Sequence, residues 1–242
     1  QVLAMQFDAI VANPPYMGGK GMNLALKEYA KATFLDSKSD LFTMFMERGF
    51  EWCKPSGFNR MVTMQSWMFL SSFEVMRKKL LKIRTITTMA HLGAHAFSEI
   101  SGEVVQTTAF SCFAKSIESY RPVFNRLVKG DESDKSRKLR AGAERLVYPS
   151  QDQFSLVPGS PVAYWLPDQA RNAFAVGQPF DGIAPTKIGM RTGDNGRFMR
   201  FWHEVSWMKI GVGANSAESA VQSKKKWFPY NKGGGFRKWF GN

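Results

Sequence analysis

The chain has 242 residues, with 33 Lys+Arg against 20 Asp+Glu and a formal net charge of +13, a balance that points to a polyanionic partner, nucleic acid above all. Its 44% hydrophobic and 22% charged residues exclude wholesale disorder, and no apolar run approaches the roughly 20 residues needed to span a bilayer. The length allows one full domain plus a smaller one, and two cysteines, Cys53 and Cys112, make neither a disulfide framework nor a zinc quartet and suit a reducing compartment.

In chain order, Phe7 to Ala12 is short, apolar and β-branched, the composition of a buried central strand. Pro14 and Pro15 end it, because proline cannot continue a ladder. The chain enters this strand almost at once, with no leader before it, so an upstream half of the sheet is expected. From Ser39, residues Leu41, Phe42, Phe45, Met46, Phe50 and Trp52 recur at helical spacing, with Cys53 on the same apolar face, and Pro55-Ser56-Gly57 is expected to stop that helix. A strand is expected over 60–65. Ser71 followed by Glu74 has the spacing of a capping box, opening a helix on which Phe73, Met76, Leu80 and Leu81 share a face. Strands follow over 85–92 and 106–114. This alternation is that of an α/β sheet layered by helices.

The charge is unevenly placed. Residues 1–120 carry 13 Lys+Arg against 10 Asp+Glu, whereas residues 121–242 carry 20 against 10 and five of the seven tryptophans. The seam is expected at 129–145, where Gly130-Asp131-Glu132-Ser133-Asp134-Lys135 reads as an exposed linker. That divides the chain into a catalytic-type domain over 1–128, a linker over 129–145 and a basic, aromatic region over 146–242 of no readable period.

Asn13-Pro14-Pro15-Tyr16 is the tetrapeptide with chemistry in it. Ligands of parallel α/β sheets sit beyond the carboxyl ends of the strands, where this turn projects. The prolines fix the backbone and carry no N–H, so nearby carbonyls and the Asn13 side-chain oxygen are free to accept from an amine with two protons to donate. Tyr16 offers a flat face to a planar ring. Holding both N–H bonds favours rehybridisation of the amine toward a tetrahedral nitrogen with an exposed lone pair, a matter of positioning and electrostatics.

Residues 7–16 resemble the catalytic motif of S-adenosylmethionine-dependent amino-methyltransferases acting on adenine N6 in DNA. The wider stretch over 12–23, the segment Thr192-Gly193-Asp194-Asn195-Gly196-Arg197-Phe198 and the closing Trp227-Phe228-Pro229-Tyr230-Asn231-Lys232-Gly233-Gly234 are similar to the large adenine methyltransferases of BREX phage-defence systems, the PglX family. The resemblance implies a partial Rossmann-like methyltransferase sheet followed by a mixed, basic target-recognition region. It implies adenine-N6 methylation of double-stranded DNA in a phage-defence or restriction-modification setting, in a prokaryotic cytoplasm, with other defence-system proteins as further partners. Asn13 and the Pro14 carbonyl would bind the amine, with Pro15 holding the turn and Tyr16 stacking on a base flipped out of the duplex. Asp40 and Phe42 would line the cofactor pocket, and Phe97 would be a second stacking face. Lys20, Arg197, Arg200, Lys224, Lys225 and Lys226 would meet DNA, together with Arg237 and Lys238.

One departure stands against these matches. The Gly-rich strand-to-helix turn and the acidic residue that bind the cofactor should precede the catalytic motif, yet the run Gly18-Gly19-Lys20-Gly21 follows it. The principal S-adenosylmethionine site is therefore expected outside this chain, on the missing upstream half, and the isolated chain is expected to be inactive. Plainer readings stay open for several residues. Gly18 to Gly21 is a lid or a flexible loop, Lys20 a phosphate ligand or a solvated lysine, and the aromatics near the basic residues DNA-facing or core. Asp194 and Asn195 read bases or make a turn. His91 and His95 have metal-pair spacing only on a helix, and 85–92 reads as strand. Protein glutamine methylation and a non-catalytic DNA-binding fragment are the competing functions.

Overall fold

The computed structural model describes residues 5–97, 105–185 and 191–230. Six strands form one mixed sheet in the order β1-β2-β4-β3-β5-β6: β1 (Phe7–Ala12), β2 (Cys53–Met64), β3 (Thr85–Gly93), β4 (Thr107–Phe113), β5 (Val123–Arg126) and β6 (Arg145–Val147). The β1–β2 and β3–β5 pairs are parallel, and the other three are antiparallel. The sheet packs with helices α1 (Leu24–Thr33), α2 (Leu41–Trp52), α3 (Glu74–Ile83), α4 (Glu132–Ala141) and α5 (Asp168–Val176) in the compact unit 1–182. This is the expected α/β class. Among the described residues, no helix is long and apolar enough to cross a membrane.

The core forms where the helical stripes meet the sheet. Phe42 and Met46 of α2, and Phe73, Met76, Leu80 and Leu81 from the start and body of α3, join Met61, Ile86, Met89, Phe110, Cys112 and Phe124 of the strands in one buried cluster. The α3 face is the one read from its periodicity.

β1, with the composition of a central strand, lies at the edge of the sheet, as expected where an upstream half of the sheet is lacking; none of its six residues is buried, and Val11 is 78% exposed. An apolar sequence reports suitability for burial, and the available neighbours decide whether burial occurs. Several local expectations give way. Helix α2 ends at Trp52, and β2 starts at Cys53, ahead of Pro55. Pro55-Ser56-Gly57 is not a helix stop but part of an irregularity in the β1–β2 register, which jumps from Phe7↔Cys53 to Ala9↔Phe58; a bulge is where a strand tolerates proline. A Cβ on Gly57 would come within 2.9 Å of the Phe7 carbonyl oxygen, so glycine is what lets the strands close. Ser71 does not cap α3: residues Ser71–Phe73 form a 3-10 turn, no side chain caps the helix, and Glu74 pairs instead with Lys78 at 2.6 Å.

The expected linker is structure too. Asp131 caps α4 by accepting from the Asp134 N–H at 2.9 Å, and Gly142 ends it at φ 64°. Lys135 is buried and donates to the Leu92 carbonyl at 2.7 Å and to that of Ala94, holding the chain after β3. Polar composition concealed a helix with one buried anchor. The second boundary also moves. Tyr148, Phe154, Val162 and Tyr164 belong to the main core, so the compact first unit runs to residue 182 and not to 128. The second unit, from residue 183, has two short helices over its described residues, α6 (Asn195–Phe198) and α7 (Ala217–Gln222), and a bridge between Ile210 and Trp227.

Candidate active site

β1 delivers Asn13-Pro14-Pro15-Tyr16 at its carboxyl end. Asn13 and Pro15 are exposed, Pro14 is buried and Tyr16 is half-buried. The buried proline pins the turn while the amide beside it faces solvent. The Tyr16 hydroxyl reaches Asn13 Oδ1 at 3.4 Å, so the ring and the acceptor are on one side of the turn. Beneath them, the Tyr16 ring meets Phe42 edge-on at 6.0 Å, and Phe42 leans on Phe73 at 5.8 Å. Burial pushes the Tyr16 phenol above its ordinary pKa, so it stays a neutral donor.

The segment after Tyr16 is tied to the entry of α2. Asp40 Oδ1 accepts from the Met17 N–H at 2.9 Å and from the Phe42 N–H at 3.4 Å, and the Leu41 N–H donates to the Met17 carbonyl at 3.0 Å. Gly18 forms a bridge with Asp40, and the Gly21 N–H closes a turn on the Gly18 carbonyl. The glycine run is thus a hydrogen-bonded turn clamped to the helix start, with Lys20 exposed on it. Desolvation raises the Asp40 pKa, and its three backbone hydrogen bonds oppose that rise.

These contacts decide two assignments. Phe42 has no exposed surface, so in this chain it braces Tyr16 from the core and presents no face to a cofactor. The Asp40 carboxylate is engaged by backbone N–H groups as the α2 cap. In this chain both side chains serve the local fold around Asn13 to Tyr16. Phe97, beyond β3, is 37% exposed, and no contact links it to Tyr16 among the described residues.

The carboxyl edge of the sheet also carries residues that sequence reading missed. His91 of β3 is 5% exposed and sits between Tyr164 Oη, 3.1 Å from Nδ1, and Gln65 Oε1, 2.5 Å from Nε2. Gln65 Nε2 donates to Gln106 Oε1. Burial, with Arg126 and Lys135 nearby, pushes the His91 pKa down to about 4. Only the strand pattern hinted that His91 was internal, and its two hydrogen-bond partners come from two other segments.

In the second unit, Arg197, Arg200, Lys224, Lys225 and Lys226 are all exposed. Arg197 lies over Phe198 at 5.0 Å, and Arg200 and Lys226 lie over Trp227 at 5.9 and 5.4 Å. Lys225 Nζ donates to the Met208 carbonyl at 2.7 Å. Asp194 caps α6 through the Arg197 N–H at 3.0 Å, which is the turn-making role. Trp202 and Trp207 are 73% and 71% exposed. Arg237, Lys238 and residues 231–234 of the closing segment 227–234 lie outside the described residues.

A family model for Eco57I restriction-modification methylases matches residues 2–97. Across all of its residues the chain is 49% identical to the adenine-specific methyltransferase BrxX of Escherichia coli O9:H4 (strain HS), covering 19% of that protein. It is 40% identical, again over the whole chain, to the adenine-specific methyltransferase PglX of Lacticaseibacillus casei (strain Zhang), covering 20% of it. The methyltransferase subunit of a type I restriction-modification system from Streptococcus thermophilus superposes on 57% of this chain and 32% of its own, at 20% identity and a TM-score of 0.41. The chain spans about a fifth of the length of the curated relatives it matches. By these matches the chain is similar, over its whole length, to about one fifth of the adenine-specific methyltransferases BrxX and PglX.

Proposed function

We propose that this chain supplies the acceptor side of methyl transfer from S-adenosylmethionine to adenine N6 in double-stranded DNA, within a phage-defence or restriction-modification system of a bacterial cytoplasm. The observation that carries the reading is the turn beyond β1: an exposed Asn13, a buried Pro14 and a half-buried Tyr16 whose hydroxyl reaches Asn13 Oδ1. Asn13 Oδ1 has a second lone pair for one amine proton, and the Pro14 carbonyl takes the other. Both bonds strengthen as the nitrogen leaves planarity, so they act on the transition state more than on the ground state. Tyr16, backed by Phe42, gives the base a rigid surface.

The methyl donor would be held by polypeptide beyond the described residues, a reading supported by Asp40 capping α2 and Phe42 lying in the core. The open edge of β1, with Val11 outward, is where such polypeptide would extend the sheet. The basic second unit would contact phosphates. With upstream polypeptide supplied, labelled methyl groups should appear on adenine of duplex DNA, and Asn13→Ala should lower the rate by about a hundredfold, the loss of one transition-state hydrogen bond. Label on protein glutamine instead of DNA would favour an amide substrate, and an unchanged rate would remove Asn13 from the chemistry.

A further inference from the structure

The relay through His91 has a fixed proton direction. Gln65 Oε1 can only accept, so the His91 proton is on Nε2, and Nδ1 then accepts from the Tyr164 hydroxyl. The imidazole is neutral at physiological pH, since burial and the neighbouring Arg126 and Lys135 hold its pKa low. Gln65 is oriented by that bond, and its Nε2 donates to Gln106 Oε1. Both amide oxygens are thereby used as acceptors. Each keeps a second lone pair, while one proton of Gln65 Nε2 and both protons of Gln106 Nε2 have no partner among the described residues. Gln106 is exposed and Gln65 half-buried.

The location is specific. β1 and β2 are parallel neighbours in register at Ala12↔Met61, so Asn13 and Gln65 both leave the carboxyl edge of the sheet on adjacent strands. β4 runs the other way, and its approach to the same edge places Gln106 opposite Gln65, with the Gln65 N–H on the Gln106 carbonyl at 2.9 Å. Trp165 covers His91 at 5.6 Å with 38% of its surface exposed, and Arg126 lies 6.0 Å from its ring. Oriented N–H donors, an indole face and a guanidinium thus share the edge that carries the amine-binding turn.

We propose that the Gln65–Gln106 pair, set by His91 and Tyr164, donates to N1 of the target base, the ring nitrogen beside the amine, and so selects adenine, whose N1 accepts, over guanine, whose N1 carries a proton. Gln106 is the contacting residue, and His91 and Tyr164 are positioning residues. The inference rests on the acceptor-side reading above.

The test is anisotropy titration of the 242-residue chain with short single-stranded oligomers of deoxyadenosine, of 1-deaza- and 7-deaza-deoxyadenosine, and of purine deoxynucleoside, which lacks the amine. Phosphate contacts are common to all four, so affinity ratios isolate the base. The expected result is that the 7-deaza oligomer, which keeps N1, binds as well as oligodeoxyadenylate, while the 1-deaza oligomer binds about fivefold more weakly than oligodeoxyadenylate, the magnitude of one neutral hydrogen bond. Gln106→Ala should equalise the two, while Asn13→Ala retains that ratio and removes the preference for adenine over purine. A 1-deaza oligomer that binds as well as oligodeoxyadenylate, a loss confined to the 7-deaza oligomer, a preference that survives Gln106→Ala, or no measurable binding of any oligomer overturns the proposal. Loss of the adenine-over-purine difference alone would instead count against Asn13, so the two readings fail separately.

Discussion

The Asp40 carboxylate accepts the Met17 N–H at 2.9 Å and, through the Phe42 N–H, also caps α2. One side chain therefore fastens the exit of the Asn13–Tyr16 turn to the helix whose Phe42 supports Tyr16 from below. Asp40→Ala should cost about 1–2 kcal/mol of stability through the lost cap and should loosen Tyr16 as well. Asp40→Asn keeps an acceptor and should retain most of that stability. Urea midpoints of the three proteins check this, and an Ala variant as stable as the parent would show that the cap carries no weight.

Tyr16 is half-buried with its hydroxyl 3.4 Å from Asn13 Oδ1, and the proposed function has its ring stack on the target base. Tyr16→Ala should lose about 1–3 kcal/mol of base stacking, whereas Tyr16→Phe keeps the ring and loses only a long hydrogen bond. Affinity for oligodeoxyadenylate is the measurement. A Phe variant as weak as the Ala variant would assign the work to the hydroxyl.

His91 makes the fold acid-sensitive. Its pKa falls from an ordinary 6.5 to about 4 because burial and the charges of Arg126 and Lys135 oppose protonation. The unfolded chain takes up the proton at a higher pH than the folded one. The stability tied to His91 is therefore complete above pH 6.5 and is lost as pH falls toward 4, by about 3 kcal/mol. Urea unfolding across that window should show the decline, and His91→Gln should flatten it. An equal slope in the variant would mean that other groups set the acid limit.

Arg77 is a buried cation bonded to carbonyls. It is 1% exposed, with Nε 3.1 and 3.0 Å from the carbonyl oxygens of Gly159 and Ser160, and Nη1 2.8 and 3.0 Å from those of Trp67 and Leu70. Arg77→Met would leave these acceptors unpaired in the interior, at a cost of about 3 kcal/mol or more. Thermal unfolding should show it, and proteolysis near Gly159 should become faster. A variant with the parent's melting temperature would refute the clip.

Lys224, Lys225 and Lys226 are exposed on the second unit. If they meet phosphates, replacing all three with alanine should weaken duplex binding and reduce the salt slope, log affinity against log salt, by up to about 2–3. Titrations at two salt concentrations decide it. An unchanged slope would place those lysines away from DNA.

The amino-acid sequence determined on its own the elements in which a local period coincides with a side-chain stripe. β1 was read with its observed limits, and Phe73, Met76, Leu80 and Leu81 were assigned to one buried face. It also singled out Asn13 to Tyr16 as a candidate site, because a rigid turn after an apolar strand offers acceptors and a flat ring, and because it resembles a methyltransferase motif. Only the tertiary structure decided what those residues face. β1 is an edge because of which strands are present beside it, not because of its composition. Phe42 is buried because Tyr16 and Phe73 close over it. The helix over Glu132–Ala141 was read as a loop because its one buried anchor, Lys135, is charged and finds carbonyls 41 and 43 residues away in sequence. The relay from Tyr164 through His91 and Gln65 to Gln106 joins four separate segments. No local pattern encodes such a convergence, because hydrogen-bond partners are set by strand register and by the packing of distant chain, and these exist only once the sheet has formed.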